Sequence, residues 1–134
     1  MKAVDTSVVV AAFATWHEAH EAARRVLDDA PRIPAHVALE AYSVLTRLPA
    51  PHRAPAGQVH AFLEAAFPEP WLVLPGQEVA PLIARLAELG IAGGGTYDAL
   101  IGATAFSVGA TLITRDRRAR SVYDQLGVEV MFVG

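Results

Sequence analysis

The chain has no cysteine, a single lysine at Lys2, and no apolar run long enough to cross a bilayer. Without cysteine there can be no disulfide, thiol nucleophile or zinc–thiolate site, and the composition fits a reducing cytoplasm. The longest stretch without a formal charge, Ala99 to Thr114, is sixteen residues broken by Gly102 and Gly109, short of the roughly 20 a spanning helix needs. Positive charge is also scarce: 11 Lys+Arg against 14 Asp+Glu give a net charge of -3. No global basic field therefore draws in nucleic acid, and any such contact has to be local. The segment Met1 to Trp16, with its lysine, apolar run and Ala-Phe-Ala, has the outline of a secretory signal. Asp5 interrupts that outline, and cleavage would remove the motif that begins there.

What is present is enough for one domain. The 134 residues, 53% hydrophobic and 19% charged, suffice for a compact unit spanning residues 1–134 with a sizeable core. There is no repeat, no low-complexity tract and no linker, since the stiff link through Pro49, Pro51 and Pro55 is too short to separate domains. Lys2 to Val4 reads as a strand running into Asp5-Thr6-Ser7, a natural helix start. Helices follow over Val8 to Ala14, His17 to Asp29, Ala35 to Leu48, Gly57 to Phe67 and Val79 to Leu89, the last ended by Gly90. Pro31 and Pro34 bracket a short extended piece at Ile33, and Trp71 to Leu74 reads as a strand between prolines. Thr96 is expected to cap a helix over Tyr97 to Ser107, followed by strand Thr111 to Thr114, helix Arg117 to Leu126 and strand Val128 to Val133. This alternation predicts an α/β fold, a three-layer α/β/α sandwich with a mostly parallel central sheet flanked by helices.

In such a sheet, chemistry gathers at the carboxyl ends of the strands, where Asp5 and Asp116 stand. Each also suits a helix cap, so neither is decisive alone. Asp98 is the only charge between Thr96 and Thr114, on a helix whose Ala, Leu, Ile and Phe residues suggest burial all round. A contact with the helix N-terminus could account for it, and a bound cation accounts for it better. On the helix from Ala35 the apolar stripe reads Val37, Ala41, Val44 and Leu48, which leaves Glu40 at the stripe's edge, facing inward or paired with a basic residue at the surface. Four converging carboxylates repel one another unless a cation intervenes. Magnesium or manganese would do this through oxygen ligands and retained waters, a set compatible with hydrolysis of phosphodiesters.

Other signals are weaker. Arg115, Arg117, Arg118 and Arg120 crowd around Asp116 and could meet phosphates at the crevice rim, although Arg115 can also face the other side of the sheet. A solvated basic helix start is the alternative, and an awkward one, because cations at a helix N-terminus are disfavoured. His17 and His20 read as solvated helix positions. His36, His52 and His60 have no nucleophile placed beside them, so a histidine-based hydrolase is unsupported. Gly90 to Gly95 follows a helix, lacks a P-loop lysine and reads as a plain loop.

Taken together, Val-Asp-Thr-Ser-Val at 4 to 8, Glu40 within a helix, Tyr-Asp-Ala-Leu-Ile-Gly-Ala-Thr-Ala at 97 to 105 and Leu-Ile-Thr-Arg-Asp at 112 to 116 resemble the PIN-domain pattern over the whole chain. The size is that of VapC-type toxins. The resemblance implies a magnesium- or manganese-dependent endoribonuclease, the toxin of a VapBC toxin-antitoxin system, with Asp5, Glu40, Asp98 and Asp116 as its acidic set. By the same resemblance Asp5 and Asp98 are direct ligands, while Glu40 and Asp116 act directly or through water. Ser7 or Thr6 is a hydroxyl neighbour, and Thr114 orients a carboxylate or water. It further implies an RNA substrate, a cognate VapB-type antitoxin and a homodimer. Phe13, Trp16 and Trp71 could line a groove for the antitoxin's helix, or be ordinary core. The alternative is a PIN-like module that grips RNA or antitoxin with little cleavage, against which the intact acidic set argues. A phosphorylated receiver domain would share the strand-end aspartates but needs an acidic pair at the first strand and a lysine near the end of the chain, whereas the one lysine is Lys2.

Overall fold

The computed structural model describes all residues from 1 to 134. Strand β1 (Lys2–Val4) runs into helix α1 (Thr6–Phe13), where the Asp5 side chain accepts from the Val8 N–H and caps the first turn. Helices α2 (His20–Leu27), α3 (Ala35–Thr46), α4 (Ala56–Ala66), α5 (Val79–Leu89) and α6 (Gly95–Ser107) follow. Then come β2 (Thr111–Thr114), a short 3-10 turn at Arg117–Ala119, α7 (Arg120–Gln125) and β3 (Val130–Phe132). The three strands form one parallel sheet in the order β1-β2-β3, with Ala3 opposite Leu112 and Ile113 opposite Met131. Helices flank this sheet, giving the α/β sandwich expected from the alternation of elements. One cluster of 29 buried residues runs from Ala3 and Val4 through the helices to Val128. No helix is long and apolar enough to cross a membrane.

Several boundaries differ from the sequence pattern, each for a local reason. The extended pieces at Ile33 and Trp71 to Leu74 shrink to single parallel bridges, Ala3 with Arg32 and Pro34 with Leu72. They continue the sheet beyond β1, as the Val4 N–H donates to the Arg32 carbonyl (3.1 Å) and the Leu72 N–H to the Ile33 carbonyl (2.9 Å). Pro31, Pro34 and Pro70 offer no N–H and stop the ladders from lengthening. Helix α2 starts at His20 rather than His17, because His17 Nδ1 accepts from the Ala19 N–H (3.0 Å) and forms a turn before the helix. His20 Nδ1 in turn contacts the Ala11 carbonyl (2.9 Å), so neither histidine is a merely solvated helix position. Thr96 is not a cap: Gly93 turns the chain at φ +58 and α6 begins one residue before Thr96. The last helix is split by the 3-10 turn, and β3 starts at Val130, two residues later than expected.

Two faces also differ. Helix α6 buries Ala99, Ile101, Gly102, Thr104 and Ala105 but leaves Tyr97 and Phe106 exposed, so it is not enclosed all round. Helix α3 buries Val37, Ala38, Ala41 and Leu45, a stripe rotated from the expected Val44 and Leu48. Glu40 remains at the edge of that stripe, half-buried.

Candidate active site

Asp5, the one buried carboxylate at 2% exposure, is carried by the sheet itself, since its backbone N–H still donates to the Ile113 carbonyl (3.1 Å) just beyond β1. Its Oδ1 accepts from Ser7 Oγ (2.6 Å) and the Val8 N–H (3.3 Å), and its Oδ2 from the hydroxyls of Thr114 and Tyr123, the latter at 3.2 Å. Four donors favour the ionised form, yet burial outweighs them and pushes the Asp5 carboxyl above the usual range. Thr114, fully buried at the end of β2, also accepts from the Asp116 N–H through Oγ1 (2.9 Å). It thereby joins Asp5 to the loop that carries Asp116.

The other acids face the same crevice. Glu40 Oε1 accepts from Thr6 Oγ1 at 2.5 Å, and its Oε2 lies 3.7 Å from His36 Nε2. Asp98 stands in the first turn of α6. Burial pushes its carboxyl up, the charges of Asp116, Glu40 and Asp5 add to that, and only Arg118 opposes them. Asp116 Oδ1 accepts from the Arg118 N–H (3.0 Å) and Oδ2 from its guanidinium (3.1 Å). The caps offered as alternatives for Asp5 and Asp116 are thus real, and coexist with a place in the crevice.

The arginines divide. Arg118 lies at the crevice mouth with its side chain exposed. Arg117 and Arg120 lie over the Phe132 ring at 4.5 Å and 5.2 Å, and Arg120 also meets Asp124 at 3.4 Å. Those contacts resolve the awkward cations at the helix start. Arg115 turns away: its Nε packs at Gly134, and its charge helps hold the His17 imidazole below its ordinary value, after burial as the main cause. Of the aromatic residues expected to form a groove, Trp71 lines an apolar hollow of about 600 Å³ between α3 and α4 with Ala38, Leu39, Tyr42 and Leu63. Phe13 and Trp16 line a separate hollow with His52.

Sequence reasoning missed Tyr123 and His36. Tyr123 is buried, and both burial and the neighbouring Asp5 and Asp98 push its phenol far above its usual range, so it stays a neutral donor to Asp5. His36 stacks on Tyr97 beside Glu40. Only the four-residue spacing of His36 and Glu40 on one helix hinted at its place.

No three of the crevice carboxylates are gathered tightly enough to enclose an ion unaided. All nevertheless offer oxygen, the other three raise the Asp98 carboxyl, and the crevice holds about 230 Å³. A magnesium-like ion, which keeps several of its waters and takes one or two carboxylates, fits such an open set better than a closed cage.

Comparison with known proteins places this geometry in a class. A PIN domain model matches residues 2–125, and the chain belongs to the PIN-domain family. Within it, the chain is 52% identical over 133 residues, 99% of both chains, to proteins named Ribonuclease VapC40 from two strains of Mycobacterium tuberculosis, CDC 1551 / Oshkosh and ATCC 25618 / H37Rv. It is 39% identical over 132 residues, 96% of this chain and 94% of the other, to Ribonuclease VapC27 of strain ATCC 25618 / H37Rv.

Proposed function

We propose that residues 1–134, as a single domain, form a metal-dependent endoribonuclease that is the toxin of a type II toxin-antitoxin pair and is inhibited by a cognate VapB-type antitoxin. The observation that carries this reading is the convergence of Asp5, Glu40, Asp98 and Asp116 on one crevice at the carboxyl ends of β1 and β2. The named ribonucleases that match nearly the whole chain support it.

Asp5 and Asp98 are assigned as the direct ligands of magnesium, or of manganese in its place. Bound there, the ion would neutralise the carboxylates and stabilise charge developing at the phosphate. Thr114, Ser7 and Tyr123 hold the Asp5 carboxylate in one orientation, so it meets the crevice in a fixed direction. Glu40, with Oε1 engaged by Thr6, offers Oε2 to water beside His36, and Asp116 is oriented by Arg118. Arg118 is the arginine assigned to substrate phosphate. Arg115, Arg117 and Arg120 sit where they support the fold around it.

The apolar hollow between α3 and α4 suits an amphipathic segment of the antitoxin. The exposed Val79, Ile83 and Leu89 of α5 suit a homodimer contact. A cytoplasmic location agrees with the absence of cysteine. Cleavage of a mixed RNA pool by purified protein with magnesium or manganese, compared with EDTA and with Asp98→Ala, tests the reading. Metal-dependent cutting lost in Asp98→Ala is expected. Equal cutting by both proteins, or none with either metal, favours a module that binds without cleaving.

A further inference from the structure

The rings of Tyr97 and His36 lie nearly parallel, 9° between planes and 5.4 Å between centroids, an offset stack that bridges α6 and α3. Tyr97 directly precedes Asp98, and His36 lies one helical turn before Glu40, so the stack adjoins two acids of the crevice. Ordinary packing does not account for it. Tyr97 is 54% exposed, lies outside the core cluster, and its phenol makes no hydrogen bond within the chain. His36 Nε2 is buried without a hydrogen-bond partner, 3.7 Å from Glu40, so the imidazole is held by the stack and by Glu40's proximity.

We infer that the Tyr97–His36 stack is a platform on which one unpaired RNA base rests while its phosphate lies in the acidic crevice. The inference rests on the ribonuclease reading and adds to it a base-binding residue beside the acidic crevice. The crevice carries four acids against one facing arginine, so contacts that carry no charge have to add to what Arg118 and a bound cation supply. Base–aromatic stacking supplies such contacts and tolerates any base. Within an A-form helix the bases are already stacked on one another and are not offered to side chains, whereas loops and ends can splay a base outward. Tyr97 is the binding residue, and His36 is a positioning residue that sets the tilt of the tyrosine ring.

The test uses a fluorescein-labelled single-stranded RNA oligonucleotide of mixed sequence and its abasic versions, one position at a time. Binding is read by anisotropy in a parent chain carrying Asp98→Asn, so that cleavage does not interfere. Added Tyr97→Leu should weaken binding roughly 5- to 150-fold, the span of one base–aromatic stack, while Tyr97→Phe should bind as the parent does. One abasic position should weaken the parent and leave Tyr97→Leu no weaker than it already is. That coupling separates stacking from a general structural defect, and His36→Ala should reduce it without abolishing it. Tyr97→Phe losing as much as Tyr97→Leu, or abasic positions costing both proteins equally, would overturn the platform. Metal-dependent cleavage by wild type with undiminished binding by Tyr97→Leu sinks the platform alone. Ring-dependent binding with no metal-dependent cleavage upholds the platform and sinks the ribonuclease reading alone.

Discussion

Replacing Thr114 with valine keeps its shape in a fully buried position and deletes one hydroxyl. Two contacts go with it, the donation to Asp5 Oδ2 and the acceptance from the Asp116 N–H. A hydrogen bond to a charged group contributes about 1.5–3 kcal/mol. The Asp116 N–H sits at a half-buried residue and can turn to water, and valine's extra methyl offsets part of the loss. The expected net destabilisation is therefore about 1–3 kcal/mol, read as a lower urea midpoint at unchanged slope in EDTA. Asp5 loses a donor to its ionised form, so its already raised carboxyl moves further up. The loss is then largest where Asp5 is ionised and shrinks as the pH falls through its folded pKa. Partners that orient a ligand are worth about 10–100-fold in metal affinity or activity, and single-turnover cleavage by Thr114→Val should fall by that factor. Thr114→Ser keeps the hydroxyl and removes a methyl, which costs stability of about 0.5–1.5 kcal/mol but leaves cleavage near wild type. A valine variant as active and as stable as wild type, or a serine variant that fails where valine succeeds, would refute this reasoning.

Burial raises the Asp5 and Asp98 carboxyls above the ordinary carboxylate range, so the stability they contribute is full below that range and is lost as pH rises through their folded values. The melting temperature in EDTA should fall over that window. Asp98→Asn should flatten the fall and remove most of the gain from magnesium, and a pH-independent melting temperature in the wild type would contradict this. At Gly102 an added Cβ would lie 3.1 Å from Tyr123 Cδ1 and 3.4 Å from Leu126 and Val128 side-chain carbons. Gly102→Ala should thus displace Tyr123 from Asp5 and cut cleavage even though crowding costs only about 1–3 kcal/mol, partly offset by alanine's helix propensity. Cleavage at wild-type rate by a folded Gly102→Ala would count against Tyr123 as a support of Asp5. Arg118→Ala should raise KM and lower the salt slope of RNA binding by about one, whereas Arg117→Ala should leave that slope unchanged.

The frame was legible where punctuation is strong. β1, β2 and α5 begin and end at the residues that the sequence pattern indicates, bounded by the Asp5 cap, the Gly109 turn and Gly90. The four acids stood out because two follow strand ends, one is a lone charge on an apolar helix and one edges an apolar stripe, and the structure lines all four along one crevice. What was not legible depends on partners distant in the chain. Tyr123 reads as a core aromatic until its phenol is seen to meet Asp5, 118 positions away. The arginines share one segment, yet Phe132 holds two of them and Arg115 lies beside Gly134, which leaves Arg118 at the crevice. The sequence places no nucleophile beside His36, whose neighbours are an acid one helical turn away and a ring on another helix. Short extended segments between prolines carry strand composition without the N–H groups that a ladder needs, which is why Trp71 to Leu74 contributes a bridge and not a strand.

The acidic crevice is a metal site only if its carboxylates hold a divalent cation together, which manganese binding, followed by the loss of free-ion EPR signal, measures directly. Wild type is expected to bind manganese in competition with magnesium. Asp5→Asn and Asp98→Asn should each weaken that binding by about 10-fold or more, and Arg118→Ala should leave it intact. Manganese binding unchanged in both asparagine variants, in folded protein, would contradict a metal site built on this acidic crevice.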